Sequence, residues 1–288
     1  MKIQIDPGAG PCFGVERAIQ MAETVLEEKQ QLLCIGDLIH NDAEISRLEN
    51  LGMKTIDLNE AIKTKAPSVL FRAHGEKPES FQLAEKNHIK IIDATCPIVK
   101  KLQMQIENTY HQLKNSQGQI VIFGSKSHPE IISLLGHCNG SAIIIESMDD
   151  IHKIDFTKPI YLFSQTTKYR SHYYQIKHEI ENKIEESLNI HSSKNLIFHD
   201  SSCKIVAQRD EQLKEFMKNK DLIVFVSGKK SSNGRQLFQI CKESNIPSYF
   251  ISHSEEIDKD WFNGIKNIGI SGATSTPYWL LTEVKERI

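Results

Sequence analysis

The sequence predicts an α/β fold made of three similar small α/β units, which packing around a pseudo-threefold axis would bring to one centre. Three observations lead there. Short Val/Ile/Leu runs alternate with amphipathic helical stretches along the whole chain. The alternation recurs every ~90 residues, an ordinary small-domain size. Three cysteines sharing a C-x-x-V signature keep phase with it. The 288 residues are enough for two or three such units.

The first unit is placed at 1–96. It opens on a short strand and turn at 1–8, followed by a helix at 15–28 and strands at 31–34, 68–71 and 89–92. The second, 97–196, has a helix at 99–113 and strands at 119–123, 142–145 and 160–163. The third, 197–288, has a helix at 208–217 and strands at 222–226, 249–251 and 268–270. Strands that feed helices in this way imply mainly parallel sheets. The formal net charge of −2 leaves no global positive field for nucleic acid or an anionic membrane surface. No apolar run approaches the roughly 20 residues of a membrane span. The start lacks the apolar core of a signal peptide, so a cytoplasmic protein with reduced thiols is expected.

The cysteines mark the repeat. Cys12 is followed by Phe-Gly-Val15, Cys96 by Pro-Ile-Val99 and Cys203 by Lys-Ile-Val206, and each opens a helix. Cys34, Cys138 and Cys241 lack the signature and read as structural. No pair is spaced C-x-x-C. In each third a strand then ends in a polar loop. His40, His128 and Ser231 lie 28, 32 and 28 residues past their cysteines. A second loop places His74, Thr166 and Ser275 at 62, 70 and 72. Ligands of open α/β sheets bind beyond such strand ends.

A thiol at a helix start ionises more easily than usual. Three converging thiolates suit a metal rather than disulfides. A structural zinc site wants a fourth protein ligand, and an iron–sulfur cluster also usually takes four. Three thiolates on a four-iron cluster would leave one iron open as a Lewis acid. The plainer reading is three small residues filling helix–sheet contacts. The stretch "SGKKSSNGRQL" is no Walker A motif, yet its N–H groups and hydroxyls suit an anion. Read alone, it is a helix start capped by Ser232 or Asn233. With His40, His74, His128 and Ser275 on equivalent loops, a phosphate or diphosphate pocket is expected. Glu130, at a helix start beside His128, is the candidate acid, with Thr166 and Thr167 as a hydroxyl relay. Otherwise it is a first-turn Glu favoured by the helix dipole.

"GPCFGVERAI", "RAHG", "DATCP", "SHPE", "SQTT", "KKSSN" and "TSTP" stand in order across nearly the whole chain. Together they resemble the 4-hydroxy-3-methylbut-2-enyl diphosphate reductase family, which closes the methylerythritol phosphate route to isoprenoids. The resemblance implies a trefoil around a central [4Fe–4S] cluster held by Cys12, Cys96 and Cys203, with one iron not ligated by protein. It implies that His40, His74, His128, Thr166, Ser231, Ser232, Asn233 and Ser275 bind a small diphosphate substrate. It gives Glu130 and Thr166 catalytic roles, and it implies a ferredoxin or flavodoxin electron donor. The sequence departs from the family pattern at Pro11, at Ile131-Ile132-Ser133 and at Asp210. The rivals are a non-catalytic three-cysteine cluster sensor and a zinc protein with a phosphate site.

Overall fold

A computed structural model describes residues 1–113, 117–188 and 195–288. After β1 (Lys2–Ile5), the chain makes three passes of helix and strand. The first holds α1 (Phe13–Lys29), β2 (Leu32–Ile35), α2 (Asp42–Asn50), β3 (Met53–Ile56), α3 (Leu58–Lys63), β4 (Ser68–Phe71), α4 (Pro78–Lys86) and β5 (Lys90–Asp93). The second holds α5 (Pro97–Leu113), β6 (Gln119–Phe123), α6 (Pro129–Gly136), β7 (Ile143–Ile145), β8 (Ile160–Ser164), α7 (Arg170–Leu188) and β9 (Leu196–Phe198). The third holds α8 (Lys204–Met217), β10 (Leu222–Val226), α9 (Ser232–Glu243), β11 (Ser248–Ile251), β12 (Asn267–Gly272) and α10 (Tyr278–Arg287).

The strands form three four-stranded parallel sheets, ordered β3-β2-β4-β5, β7-β6-β8-β9 and β11-β10-β12-β1. The order is the same each time: second strand, first, third, fourth. In the last sheet β1 takes the fourth place, with Lys2 to Ile5 beside Asn267 to Ile270. The segment 1–96 therefore gives its first strand to the sheet of the last segment. Each fourth strand delivers a cysteine: Ile5 precedes Cys12 by seven residues, Asp93 precedes Cys96 by three and Phe198 precedes Cys203 by five.

Two strands escape the sequence pattern, β3 and β9. Both are sheet edges of three or four residues, β3 buried only at its two ends and β9 fully buried nowhere. An edge strand has no need of the continuous apolar run that marks β10, buried at all five positions.

The chain divides into two compact bodies. One comprises Met1–Ala73, Ile92–Ala94 and Lys204–Ile288; the other comprises His74–Ile91 and Thr95–Cys203. In the first body α1 lays Ala18, Ala22 and Leu26 on Leu32, Cys34 and Leu70. Its small alanines, four residues apart, let the helix approach the sheet closely. A second core packs Val224, Val226, Ile268 and Ile270 with Leu280, Leu281 and Val284 of α10. In the second body β6 sends Val121 and Phe123 to one face, with Tyr173, Ile176, Ile180 and Ile184 of α7. Ile120 and Ile122 go to the other, with Leu102 and Ile106 of α5 and Ile131 and Leu134 of α6. Period-two alternation thus covers the sheet on both faces. Among the described residues no helix is long and apolar enough to cross a membrane.

Candidate active site

In the first body, Cys12 is the N-cap residue of α1, and its N–H donates to the Thr274 carbonyl at 2.9 Å. Thr274 in turn donates through both its N–H and its hydroxyl to Asn233 Oδ1, at 3.0 Å each. The Asn233 side chain is 3% exposed, and its Nδ2 has no hydrogen-bond partner. The bonds to Oδ1 fix the amide orientation, so a buried donor is left open. Ser231 is the cap of α9, accepting from Gly234 N at 3.0 Å. The sequence pointed to Ser232 or Asn233 for this cap; both instead lie in the first turn, which frees the Asn233 oxygen for Thr274. Ser275 Oγ lies 3.3 Å from both Ser231 Oγ and the His40 carbonyl. His40, Ser231, Asn233 and Ser275 are thereby joined through short contacts, with Cys12 tied to the same loop through Thr274.

His40 lies between β2 and α2. Burial pushes its pKa down to about 4, with Asp37 raising it and Arg72, Lys230 and Arg235 lowering it further. Three cations and one carboxylate thus surround a neutral imidazole, with Lys230 Nζ paired to Asp37 at 2.8 Å. The next residue, Asn41, caps α2 by accepting from Glu44 N at 3.0 Å. Glu44, fully buried, is held by Arg47 and by Trp279 Nε1 of α10.

In the second body, His128 caps α6, its Nδ1 accepting from Glu130 N at 3.2 Å. That bond assigns the ring proton of the neutral imidazole to Nε2. The ring of His74 meets the His128 ring edge-on, with centroids 5.5 Å apart. Glu130 is 1% exposed. Its Oε1 accepts from Thr166 N and its Oε2 contacts Thr166 Oγ1, each at 2.7 Å. Burial raises the Glu130 pKa to about 7 against the lowering effect of those two bonds. Thr167 does not join this pair; its hydroxyl takes a bond from Gln165 Nε2. The Thr166 carbonyl accepts from Cys203 N at 2.9 Å, immediately before α8. The Cys96 carbonyl accepts from Lys100 N in the first turn of α5.

All three signature cysteines therefore stand at helix starts. Cys12 and Cys96 are half-buried and Cys203 is 8% exposed. Cys34, Cys138 and Cys241 are wholly buried, and burial pushes the Cys241 thiol up to about 12 and the Cys138 thiol in the same direction. Sequence reasoning did not single out Thr274 or the open amide of Asn41. Thr274 carried no signal of its own. Asn41 carried one, an Asn three residues before Glu44, but it is the signal of a helix cap.

A family model described as LytB protein matches residues 3–288. A 4-hydroxy-3-methylbut-2-enyl diphosphate reductase of Bacteroides thetaiotaomicron is 44% identical over 288 residues, covering 100% of this chain and 98% of the relative. A protein of the same name from Porphyromonas gingivalis is 42% identical, with 99% and 98% covered. Among solved structures, an (E)-4-hydroxy-3-methyl-but-2-enyl diphosphate reductase, described as the terminal enzyme of the non-mevalonate pathway, is similar with a TM-score of 0.70. It is 34% identical, and the match covers 99% of this chain and 98% of that one. The Plasmodium falciparum reductase structure, 24% identical with a TM-score of 0.83 and covering 99% and 87% of the two chains, shares the fold. The chain belongs to the LytB protein family.

Proposed function

We propose that this chain reduces 4-hydroxy-3-methylbut-2-enyl diphosphate to isopentenyl and dimethylallyl diphosphate, the last step of the methylerythritol phosphate pathway. Two electrons and two protons enter, the allylic carbon–oxygen bond breaks, and the hydroxyl leaves as water. The observation that carries the reading is the buried Glu130–Thr166 pair, a carboxyl that burial keeps partly protonated near pH 7. Hydroxide is a poor leaving group, so a placed acid has a job here that a sensor or a structural zinc protein does not require.

Cys12, Cys96 and Cys203 would hold a [4Fe–4S] cluster, which supplies electrons and, at an iron without a protein ligand, Lewis acidity. The donor set fits, being three thiols at helix starts, whereas Cys34 and Cys138 are packed into apolar cores and Cys241 is wholly buried within α9. The three segments 1–96, 97–196 and 197–288 are the proposed arms, with Cys12 at the first helix of the first, Cys96 at the junction directly before the first helix of the second, and Cys203 directly before the first helix of the third. When Glu130 is protonated, its Oε2–H donates to Thr166 Oγ1. The threonine proton can then pass to the leaving oxygen while the carboxyl proton replaces it. The open amide of Asn233, the hydroxyls of Ser231, Ser232 and Ser275, and the imidazoles of His40, His74 and His128 would bind the diphosphate. Ferredoxin or flavodoxin is the proposed donor, and a reducing cytoplasm suits the thiols.

Anaerobic turnover with a reduced donor and the hydroxylated diphosphate tests the reading. Wild-type protein is expected to be brown, to contain acid-labile sulfide and to release both products. Glu130→Gln should keep iron and sulfide but lose about 10²-fold or more in turnover. A colourless protein with stoichiometric zinc, or undiminished turnover in Glu130→Gln, would overturn it.

A further inference from the structure

We infer that Asn41 is a further substrate-binding residue, donating its side-chain N–H to the diphosphate alongside Asn233. The inference rests on the reductase reading above and adds to it a residue for which capping is the only role so far described.

Asn41 is wholly buried. Its Oδ1 is committed to Glu44 N at 3.0 Å, which fixes which end of the amide is nitrogen. Nδ2 is left without a hydrogen-bond partner. A cap needs only the oxygen: Ser and Asp cap as well as Asn does. A buried NH₂ with no acceptor is a standing cost that a Ser at this position would avoid. Because the amide is planar and its oxygen faces the first turn of α2, Nδ2 is turned away from that turn.

Asn233 has the same arrangement. Its oxygen is spent on Thr274 and its Nδ2 is buried and open. The two asparagines lie around one loop. Ser275, next to Thr274, contacts the carbonyl of His40, the residue before Asn41. Gly228, at the head of the loop that carries Ser231, approaches so closely that a Cβ would fall 2.5 Å from the His40 oxygen and 2.9 Å from Asn41 Cα. Arg72, Lys230 and Arg235 act on the adjacent His40 against one carboxylate, Asp37, which pairs with Lys230, so cations outnumber anions there. Two open amide donors, two serine hydroxyls and three nearby cations match a ligand rich in acceptor oxygens and negative charge.

The test separates donor from cap. Asn41→Ser keeps a capping oxygen and removes the amide N–H, while Asn41→Asp keeps the cap and puts a carboxylate in place of the donor. Binding of inorganic diphosphate to the anaerobic holoenzyme is measured by calorimetry, beside kcat, KM, melting midpoint and iron content. Asn41→Ser should raise Kd and KM about 10-fold and Asn41→Asp by about 10²-fold or more, with midpoint, iron content and kcat near wild type. Asn233→Ser is the positive control. Wild-type affinity in Asn41→Ser would overturn the inference while leaving the reductase reading intact. Wild-type protein that neither binds diphosphate nor turns over would sink the reductase reading and this inference with it. If the variants do not fold, a crystal structure of the wild-type holoenzyme with diphosphate decides. Asn41 Nδ2 within hydrogen-bond distance of a phosphate oxygen supports the inference, and an Asn41 amide bonded elsewhere refutes it.

Discussion

At Glu130, burial and hydrogen bonding act on one carboxyl in opposite directions. Burial disfavours the charged form; the N–H and hydroxyl of Thr166 favour it; burial wins and leaves the pKa near 7. In the proposed reaction the acid form is the proton donor, so turnover should fall as pH rises through about 7. Thr166→Val removes one of the two bonds that stabilise the carboxylate, so the folded pKa should climb further. The alkaline limb of the pH–rate profile should therefore move to higher pH, even though total activity drops. Thr166→Ser keeps the hydroxyl and should leave the limb in place. A limb that is unmoved in Thr166→Val would separate it from Glu130. The same shift acts on stability. Folded Glu130 holds its proton where an unfolded Glu, with its ordinary value of 4.5, has lost it, so its contribution is full below that value and fades as pH climbs to about 7.

Helix α6 carries both His128 and Glu130, and its placement depends on groups that a periodicity scan passes over. Ser133, 1% exposed, accepts from Gln103 Nε2 of α5 at 2.7 Å and donates to the Glu76 carbonyl at 3.1 Å. The intervening Gly75 has φ +80°, and a Cβ there would sit 2.3 Å from Gln103 Nε2. One buried knot thus joins the helix of Cys96, the helix of Glu130 and the turn after His74. Ser133→Ala removes the bonds that the Gln103 amide and the Glu76 carbonyl make to this hydroxyl, at a cost of about 1–3 kcal/mol. The melting midpoint should drop, and Gln103→Leu added to Ser133→Ala should cost less than the two single losses summed. Strict additivity would show that the knot carries no coupling. In the sequence, Ser133 registered only as a departure from a family pattern, because a buried hydroxyl has no periodic signature. The helices and central strands were legible because their apolar spacing is local, as in α5 and β10. The edges β3 and β9 were not, and the loop residues were found through the cysteine repeat rather than through their own chemistry.

Nothing local in "KIQI" reveals that β1 completes a sheet with β12, and the pairing that closes the chain on itself is a matter for the whole molecule. Its anchor is Asp6 with Arg209, 203 residues apart and exposed by only 2% and 3%. Arg209 Nη2 meets Asp6 Oδ2 at 2.8 Å and lies 3.3 Å from Ser271 Oγ. Ser271 donates to the same Asp6 oxygen, and Gly8 N donates to the other. Even Gly8 is fixed by the pair, since a Cβ would come within 2.2 Å of Arg209 Nη1. The three tethered segments run on to Cys12, back to Cys203 and forward to Thr274 and Ser275, so the pair holds backbone that leads to two cysteines and to the loop of Thr274 and Ser275. Removing one partner strands a buried charge, which typically costs about 3–5 kcal/mol, whereas removing both can cost far less. Arg209→Met and Asp6→Asn should each lower the denaturation midpoint of the anaerobic holoenzyme strongly, and the double variant should recover part of the loss. Arg209→Lys should fall between, because an ammonium keeps the charge but has one nitrogen in place of Nη2, on Asp6, Ser271 and Gly272, and Nη1, on Gln212. If the pair positions the cysteine arms as well as holding the fold, iron should be lost to a chelator faster in Arg209→Met. The comparison is a core variant of matched midpoint, such as one at Ile180 in the other body, assayed where both are folded. Equal chelator rates at equal stability would confine Asp6 and Arg209 to the fold.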